Sequence, residues 1–132
     1  MKKHQILIVD DDADDREIIR DAFASSINEQ EYVFLENGDK LLEFLNLNVH
    51  ENIPSLIMLD LNMPGKDGRE TLKEIKSNDR FQQIPTIVFT TSSSLKDKQV
   101  VYNHGANCFV TKPDTFNELI ELAKSITKLW LQ

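Results

Sequence analysis

Two short apolar runs in this chain end abruptly in acid. Ile6-Leu7-Ile8-Val9 is followed by Asp10-Asp11-Asp12, and Leu56-Ile57-Met58-Leu59 by Asp60 and then Leu61. A run that is apolar at every position, rather than at every second one, belongs to a strand covered on both faces, as in a parallel sheet flanked by helices. A carboxylate carried by such a strand leaves water at a cost unless something compensates its charge. If the two strands are parallel and adjacent, they bring three or four acids to one place. There each acid raises the pKa of the next unless a cation sits among them. A donor set made of oxygen alone suits Mg²⁺. The runs therefore predict a buried parallel sheet with a magnesium pocket at its edge and an acid nucleophile, Asp60, inside it. The second run is expected to continue as strand from Leu56 to Leu61, with Asp60 embedded in it.

The rest of the chain alternates in the same way. The first strand is expected over Lys3 to Val9. Ile18, Ile19, Ala22 and Phe23 recur at helical spacing, which predicts a helix from about Asp14 to Ile27, capped by an aspartate among residues 12 to 15. Tyr32 to Leu35 reads as a second strand, and Asn37-Gly38 turns the chain into a helix carrying Leu41, Leu42, Phe44 and Leu45. Pro54 marks the entry to the strand that leads to Asp60. A loop follows, Asn62 to Gly68, and then a helix from Arg69 to about Asn78 with Leu72 and Ile75 inward. Pro85 opens a fourth strand, Thr86 to Phe89. A fourth helix spans roughly Leu95 to His104, with Gly105 in the C′ position. Cys108 to Val110 is the fifth strand, and Thr115 to Leu131 the last helix. Five strands alternating with five helices specify an α/β fold, a doubly wound parallel sheet with helices on both faces. No internal repeat, low-complexity tract or linker interrupts the pattern.

Composition narrows the function classes. The 132 residues amount to one domain with a substantial core. A net charge of −7 argues against nucleic acid as a partner, since that surface wants a basic face. No apolar run approaches the roughly 18 residues of a membrane span, and Met1-Lys2-Lys3-His4 leads into a strand without a signal-peptide core. The one cysteine, Cys108, excludes an internal disulfide and fits a reducing compartment. A cytoplasmic location is expected.

In open α/β sheets the working crevice lies beyond the carboxyl ends of the strands. Asp10 and Asp11 follow the first strand, Asp60 the third, Thr90 the fourth and Lys112 the fifth. Four strand ends each deliver a polar group, which scattered surface polarity does not explain.

The segments Ile8-Val9-Asp10-Asp11, Leu59-Asp60-Leu61-Asn62-Met63-Pro64 with Asp67-Gly68, Phe89-Thr90-Thr91-Ser92 and Thr111-Lys112-Pro113 resemble the receiver domain of two-component response regulators. The likeness runs over essentially the whole chain. It implies a flavodoxin-like, CheY-like (βα)5 fold with strand order 2-1-3-4-5, and residues 1–132 as a single receiver domain without an output domain. It also implies phosphorelay signalling. Asp60 corresponds to the phosphoacceptor, which takes a phosphoryl group from the phosphohistidine of a sensor histidine kinase. Asp10 and Asp11 correspond to the acidic pair that holds Mg²⁺, and Asn62 to the position whose backbone carbonyl completes the metal site. Lys112 and Thr90 correspond to the residues that contact the phosphoryl oxygens. Phosphoryl transfer needs in-line positioning and charge neutralisation more than covalent chemistry, and these groups supply both. Such proteins catalyse only the phosphorylation and dephosphorylation of their own aspartate.

The resemblance further implies a switch. Thr90 drawn toward a new phosphate leaves space behind it for a buried aromatic, here Phe109, to rotate inward. The change is reported on the face made by the fourth helix, fifth strand and fifth helix. Phe109 lacks the hydroxyl of the tyrosine found there in many family members, so packing alone carries its part. The Asn62-Met63-Pro64-Gly65-Lys66-Asp67-Gly68 loop, Gly105-Ala106-Asn107 and Leu129-Trp130-Leu131 are similar to single-domain receivers that partner phytochrome-like sensor kinases. A histidine phosphotransfer protein is the other partner class.

Plainer readings apply to the remaining polar residues. Asp12, Asp14 and Asp15 are read as helix-capping and solvated acids, Asp67 as a turn residue, and Thr91, Ser93 and Ser94 as loop and cap residues. Ser92 and Asn62 stand where the family tunes phosphate lifetime. His4, His50 and His104 show no ligand spacing and are read as surface residues. Cys108 is read as a buried small apolar group, and Lys66 and Arg69 as solvated flanks of the site. In the last helix Phe116, Leu119, Ile120, Ala123 and Trp130 form an apolar face that Leu122, Ile126 and Leu129 widen to roughly 200°, twice what a core-facing helix needs. The surplus predicts a homodimer through this helix or a partner protein upon it.

Three other classes fit less well. A phosphatase with an aspartate nucleophile wants a second acid two residues on, where Asn62 stands. Flavin binding wants a glycine-rich loop after the first strand, and none is there. A pseudo-receiver, an interaction module independent of phosphorylation, is the alternative reading, although such chains usually lose an acid, the threonine or the lysine.

Overall fold

The computed structural model describes residues 4–25, 30–48 and 53–131. β1 (Gln5–Val9) and β3 (Leu56–Leu59) lie side by side and parallel, with Ile6 opposite Leu56 and Val9 opposite Leu59. β2 (Glu31–Leu35) flanks β1 on the other side. β4 (Thr86–Thr90) pairs with β3, and β5 (Cys108–Thr111) closes the far edge, so the order is 2-1-3-4-5 with every pair parallel. The doubly wound (βα)5 expectation holds.

The continuous apolar runs are explained by two cores, one on each face. Ile6, Ile8, Leu56, Met58, Ile87 and Phe89 point to one side and meet Ile19, Ala22 and Phe23 of α1 (Ala13–Ala24) and Leu119, Ala123 and Ile126 of α5 (Phe116–Trp130). Leu7, Val9, Ile57, Leu59 and Val88 point to the other. They meet Leu41 and Leu45 of α2 (Gly38–Asn48), Leu72 and Ile75 of α3 (Gly68–Lys76) and Val101 of α4 (Leu95–Asn103). Successive residues of one strand therefore feed opposite cores. Each large side chain so buried contributes about 1.5–3 kcal/mol.

Local signals set the helix starts. Asp12 caps α1, accepting from the Asp14 and Asp15 amides, and Asp67 caps α3, accepting from the Arg69 amide. Ser94 and Thr115 cap α4 and α5. Asp67 is thus a helix cap rather than a simple turn residue, and Thr115 precedes the last helix instead of opening it. Gly105 follows α4 with φ +97°, the left-handed conformation expected of a C′ glycine.

Some boundaries move. β3 stops at Leu59, so Asp60 stands just beyond the strand and not inside it, and Leu61, although fully buried, lies in the loop. β4 and β5 each run one residue further than expected, to Thr90 and Thr111. α3 ends at Lys76, where the Ser77 amide closes back on Lys73. α1 ends at Ala24 with Ser25 as its C-cap; the expected end at Ile27, the strand start at Lys3 and His50 lie outside the described residues. Among the described residues no helix is long and apolar enough to cross a membrane.

Candidate functional site

The sheet ladder itself assembles the site. Asp10 donates its amide to the Leu35 carbonyl at 3.0 Å, and Asp60 donates its amide to the Val9 carbonyl at 3.0 Å. The ladder thereby extends one step past β1 and β3 and holds the two acids abreast. Gly68 makes room for them. A Cβ there would stand 2.4 Å from the Asp60 carbonyl oxygen and 2.6 Å from the Leu61 Cα, so only glycine lets the start of α3 lie against this backbone.

Asp10 is 2% exposed and Asp60 6%, whereas Asp11 is open to solvent. Oxygen atoms of all three lie within 4.8 Å of one another. Burial pushes the Asp60 carboxyl above its usual range; Lys112 opposes the rise and Asp10 adds to it. Burial likewise pushes Asp10 up, against the pull of Lys112 and of the Asp12 amide. The Asp12 amide donates to Asp10 Oδ1 at 2.9 Å.

A divalent cation fits this donor set. All donors are oxygens, and two ligands on opposite sides of an ion at about 2.1 Å stand about 4.2 Å apart, within the span of the three acids. Two buried carboxylates facing one ammonium leave negative charge that such an ion would neutralise.

The cationic side is Lys112. Its amide donates to the Thr90 carbonyl at 2.7 Å, which carries the β4–β5 ladder one step past Thr111. Its Nζ lies 2.8 Å from Asp10 Oδ2, 3.0 Å from Asp15 Oδ2 and 3.9 Å from Asp60 Oδ2. Burial of the ammonium works against its charge, yet the bonds to Asp10 and Asp15 prevail and hold its pKa above the usual value. Asp15 is therefore not merely a solvated acid in the first turn of α1; its side chain spans to the loop after β5.

Thr90 is fully buried at the end of β4. Its hydroxyl oxygen accepts from the Ser92 amide at 3.4 Å and from Asn62 Nδ2 at 3.5 Å. The Asn62 amide in turn donates to Asp60 Oδ1 at 3.4 Å. Asp10, Asp11, Asp60, Asn62, Thr90 and Lys112, from four strand ends, thus meet in one place. Phe109 lies apart. It is half-buried, not buried as expected, and packs on the core face of α2, α3 and α4. Its amide donates to the Tyr102 hydroxyl at 3.1 Å.

A second network borders the site. Arg69 Nη2 donates to Asp97 Oδ1 at 2.6 Å and Nη1 to Asp67 at 3.1 Å, while Ser92 Oγ donates to Asp97 Oδ2 at 2.7 Å. Thr111 Oγ1 donates to the Ser92 carbonyl at 3.0 Å. Arg69, read as a solvated flank, instead joins the start of α3 to the loop after β4. Lys66 pairs with Glu74. Cys108 is half-buried against the α1–α5 core rather than wholly enclosed. His4 Nδ1 lies 3.1 Å from Ser55 Oγ, so this histidine is half-buried and partnered.

The broad apolar arc of α5 is largely absorbed within the fold. Leu119, Ala123 and Ile126 are buried, and Ile120, Leu122 and Trp130 pack partly against the same core. Phe116, 46% exposed, and Leu129, 75% exposed, remain outside. Phe116 and Leu119 also line a groove of about 470 Å³ with Ile18, Phe89, Lys112 and Pro113.

Residues 6–124 match the sequence profile of the response regulator receiver domain. Response regulator Rcp1 of Synechocystis sp. is 36% identical over 130 residues, which cover 96% of this chain and 88% of that protein. The phosphorylated cyanobacterial phytochrome response regulator RcpA superposes with a TM-score of 0.91 at 34% identity, covering 99% of this chain and 96% of that one. The Mn²⁺-bound form of Rcp1 superposes with a TM-score of 0.86 at 34% identity, covering 98% and 95%.

Proposed function

The chain belongs to the receiver-domain family of response regulators, and from that membership we propose that Asp60 is its phosphoacceptor, served by Asp10, Asp11, Asn62, Thr90 and Lys112. The protein is a receiver of phosphorylation-based two-component signalling. The observation that carries the assignment is the meeting of three carboxylates within 4.8 Å, two from the end of β1 and one from the end of β3, beside Lys112 and Thr90 from the ends of β5 and β4.

In the step we assign, an Asp60 carboxylate oxygen attacks the phosphorus of a phosphohistidine on a sensor kinase. The phosphorus–nitrogen bond breaks, and its electron pair stays with the leaving imidazole. Asp60 must be ionised to attack, and Lys112 favours that form while burial strips the carboxylate of water. Mg²⁺ held by Asp10, Asp11, Asp60 and the Asn62 carbonyl would supply neutralisation of the phosphoryl oxygens. Lys112 brings a compact point charge to the same oxygens. The Thr90 hydroxyl turns to them once they are present.

That turn is the start of the output. Thr90, Ser92 and Thr111 are linked by hydrogen bonds, so a shift of Thr90 reaches β5 and Phe109, and through them the surface of α4, β5 and α5. The catalysis is confined to the protein's own aspartate. A histidine kinase, of the phytochrome-like type by analogy with the relatives, is the donor. A histidine phosphotransfer protein is the other partner class, to which the phosphoryl group would pass onward, and the reactions are cytoplasmic. A second copy docking through α5 would cover Phe116 and Leu129; sedimentation as a monomer at high concentration, phosphorylated or not, excludes it. The reading as a phosphorylation-independent module gains no support, because every group the chemistry needs is present.

The test is incubation with Mg²⁺ and acetyl phosphate followed by intact-mass analysis. One phosphoryl adduct, dependent on Mg²⁺ and lost in Asp60→Asn, is expected. No adduct in the wild type, and no response to a beryllofluoride mimic, would return the pseudo-receiver.

A further inference from the structure

We propose that Asp15 is a positioning residue for phosphoryl transfer, holding the Lys112 ammonium in place for the group that arrives on Asp60. The inference rests on the reading of Asp60 as phosphoacceptor.

The Lys112 ammonium has three N–H donors. One goes to Asp10 Oδ2 at 2.8 Å and one to Asp15 Oδ2 at 3.0 Å. The third remains for whatever occupies the neighbourhood of Asp60, whose Oδ2 stands 3.9 Å away. Two fixed contacts define the orientation of a tetrahedral head group, whereas one leaves it free to turn about that bond. The Lys112 side chain is only 14% exposed, so water does not readily replace a lost partner.

The three carboxylates around Lys112 differ in their other duties. Asp10 and Asp60 belong to the oxygen cluster suited to a divalent ion, and the Asp60 carboxylate gives up its own charge when it becomes an acyl phosphate. Asp15 lies outside that cluster and is free of both demands. It is also well aimed. The Asp12 side chain accepts from the Asp14 and Asp15 amides at 2.8 and 3.3 Å and fixes the first turn of α1. The Asp15 side chain has no capping duty of its own and crosses to a residue 97 positions away in sequence. At 40% exposure its ion pair adds little to stability, so its effect falls on geometry.

The experiment uses acetyl phosphate as donor. An Asp60 oxygen bonds to phosphorus, the bond from phosphorus to the acyl oxygen breaks, and acetate leaves with the electron pair. In Asp15→Ala the limiting rate at saturating donor falls about tenfold, less than the roughly hundredfold that a 1 Å misplacement can cost, while the donor concentration at half-maximal rate moves less than twofold. Asp15→Asn, which keeps an acceptor, recovers part of the rate. In a Lys112→Ala background, Asp15→Ala has no further effect. A second readout needs neither metal nor donor. The ¹⁵N-ammonium signal of Lys112 in the wild type shifts and exchanges faster with water in Asp15→Ala.

An unchanged limiting rate in Asp15→Ala, or the same slowing in the Lys112→Ala background, overturns the proposal and leaves Asp60 as phosphoacceptor. A wild type that takes up no phosphoryl group overturns the reading of Asp60, and the proposal with it.

Discussion

Arg69 and Asp97 tie the first turn of α3 to the first turn of α4, with Arg69 Nη2 2.6 Å from Asp97 Oδ1. Asp97 also receives the Ser92 hydroxyl at 2.7 Å. The loop after β4 is therefore held by a side-chain clamp that shares no residue with the proposed phosphoacceptor pocket. Thr90, two residues before Ser92, belongs to the pocket. Any movement of Thr90 toward a phosphoryl group works against a loop fixed at its next turn.

Breaking the clamp is expected to loosen that loop. Arg69→Ala should lower stability by about 1 kcal/mol, the upper range for a partly exposed ion pair, as read by urea unfolding. The bond from Ser92, followed by that from Arg69, holds the Asp97 carboxyl below its usual 3.8. A lowered folded pKa gives stability that is complete above 3.8 and is lost as pH falls through the folded value. The penalty for Arg69→Ala should thus shrink below pH 3.8. A penalty that is constant with pH would assign the effect to packing of the Arg69 stem instead.

Asp60 obeys the opposite sign. Its folded pKa is raised, by burial first, so the ion-free fold is most stable with that carboxyl protonated and loses stability as pH rises through the folded value. In chelator at pH 7, Asp60→Asn should be more stable than the wild type by about 1 kcal/mol, since an amide avoids the burial of charge. The gap should close as the pH is lowered toward 3.8. Urea unfolding of both proteins across that range is the measurement, and an Asp60→Asn variant less stable at pH 7 contradicts it.

The two families of residues were not equally legible in the sequence. Asp10, Asp60, Thr90 and Lys112 were, because the first three directly follow an unbroken apolar run, Lys112 stands one residue past another, and the parallel sheet aligns all such ends. The two cores were legible for the same reason, since a run apolar at every position has two faces to bury. Asp15, Arg69 and Asp97 were not. An acid in the first turn of a helix has a sufficient local explanation in the helix dipole, which hides a partner far along the chain. A signal was present nonetheless: one cap needs one acid, and residues 12 to 15 hold three. The arc of α5 reads wider in the sequence than the surface it leaves exposed, for a related reason. Helical spacing counts apolar positions without knowing that the flanks of the helix, Ile120, Leu122 and Trp130, are half-covered by the rest of that core.

Asp11 differs from its neighbour in being exposed and outside the Lys112 bonds. Its removal should leave the ion-free protein almost unchanged, within about 0.5 kcal/mol, while weakening the cation. A bound ion stabilises by RT ln(1 + [L]/Kd), so a tenfold loss of affinity costs about 1.4 kcal/mol at saturating ion. Melting temperatures of wild type and Asp11→Asn should coincide in chelator and part as Mg²⁺ is added. Equal responses to Mg²⁺ would remove Asp11 from the ligand set.

The contact of Tyr102 with Phe109 bears on the proposed output surface. β5 is an edge strand, and the Phe109 amide spends its hydrogen bond on the Tyr102 hydroxyl at 3.1 Å instead of on another strand. A hydroxyl from α4 thus meets the backbone of Phe109, whose own side chain carries none. Tyr102→Phe removes that acceptor and little else, at a cost of about 1 kcal/mol. Hydrogen exchange at the Phe109 amide should quicken by about fivefold, and the effect should stay local, because opening of an edge strand need not involve the sheet. If the Phe109 amide exchanges at the same rate in both proteins, α4 does not restrain β5 through this bond, and coupling between them must run through the side-chain packing of Phe109 alone.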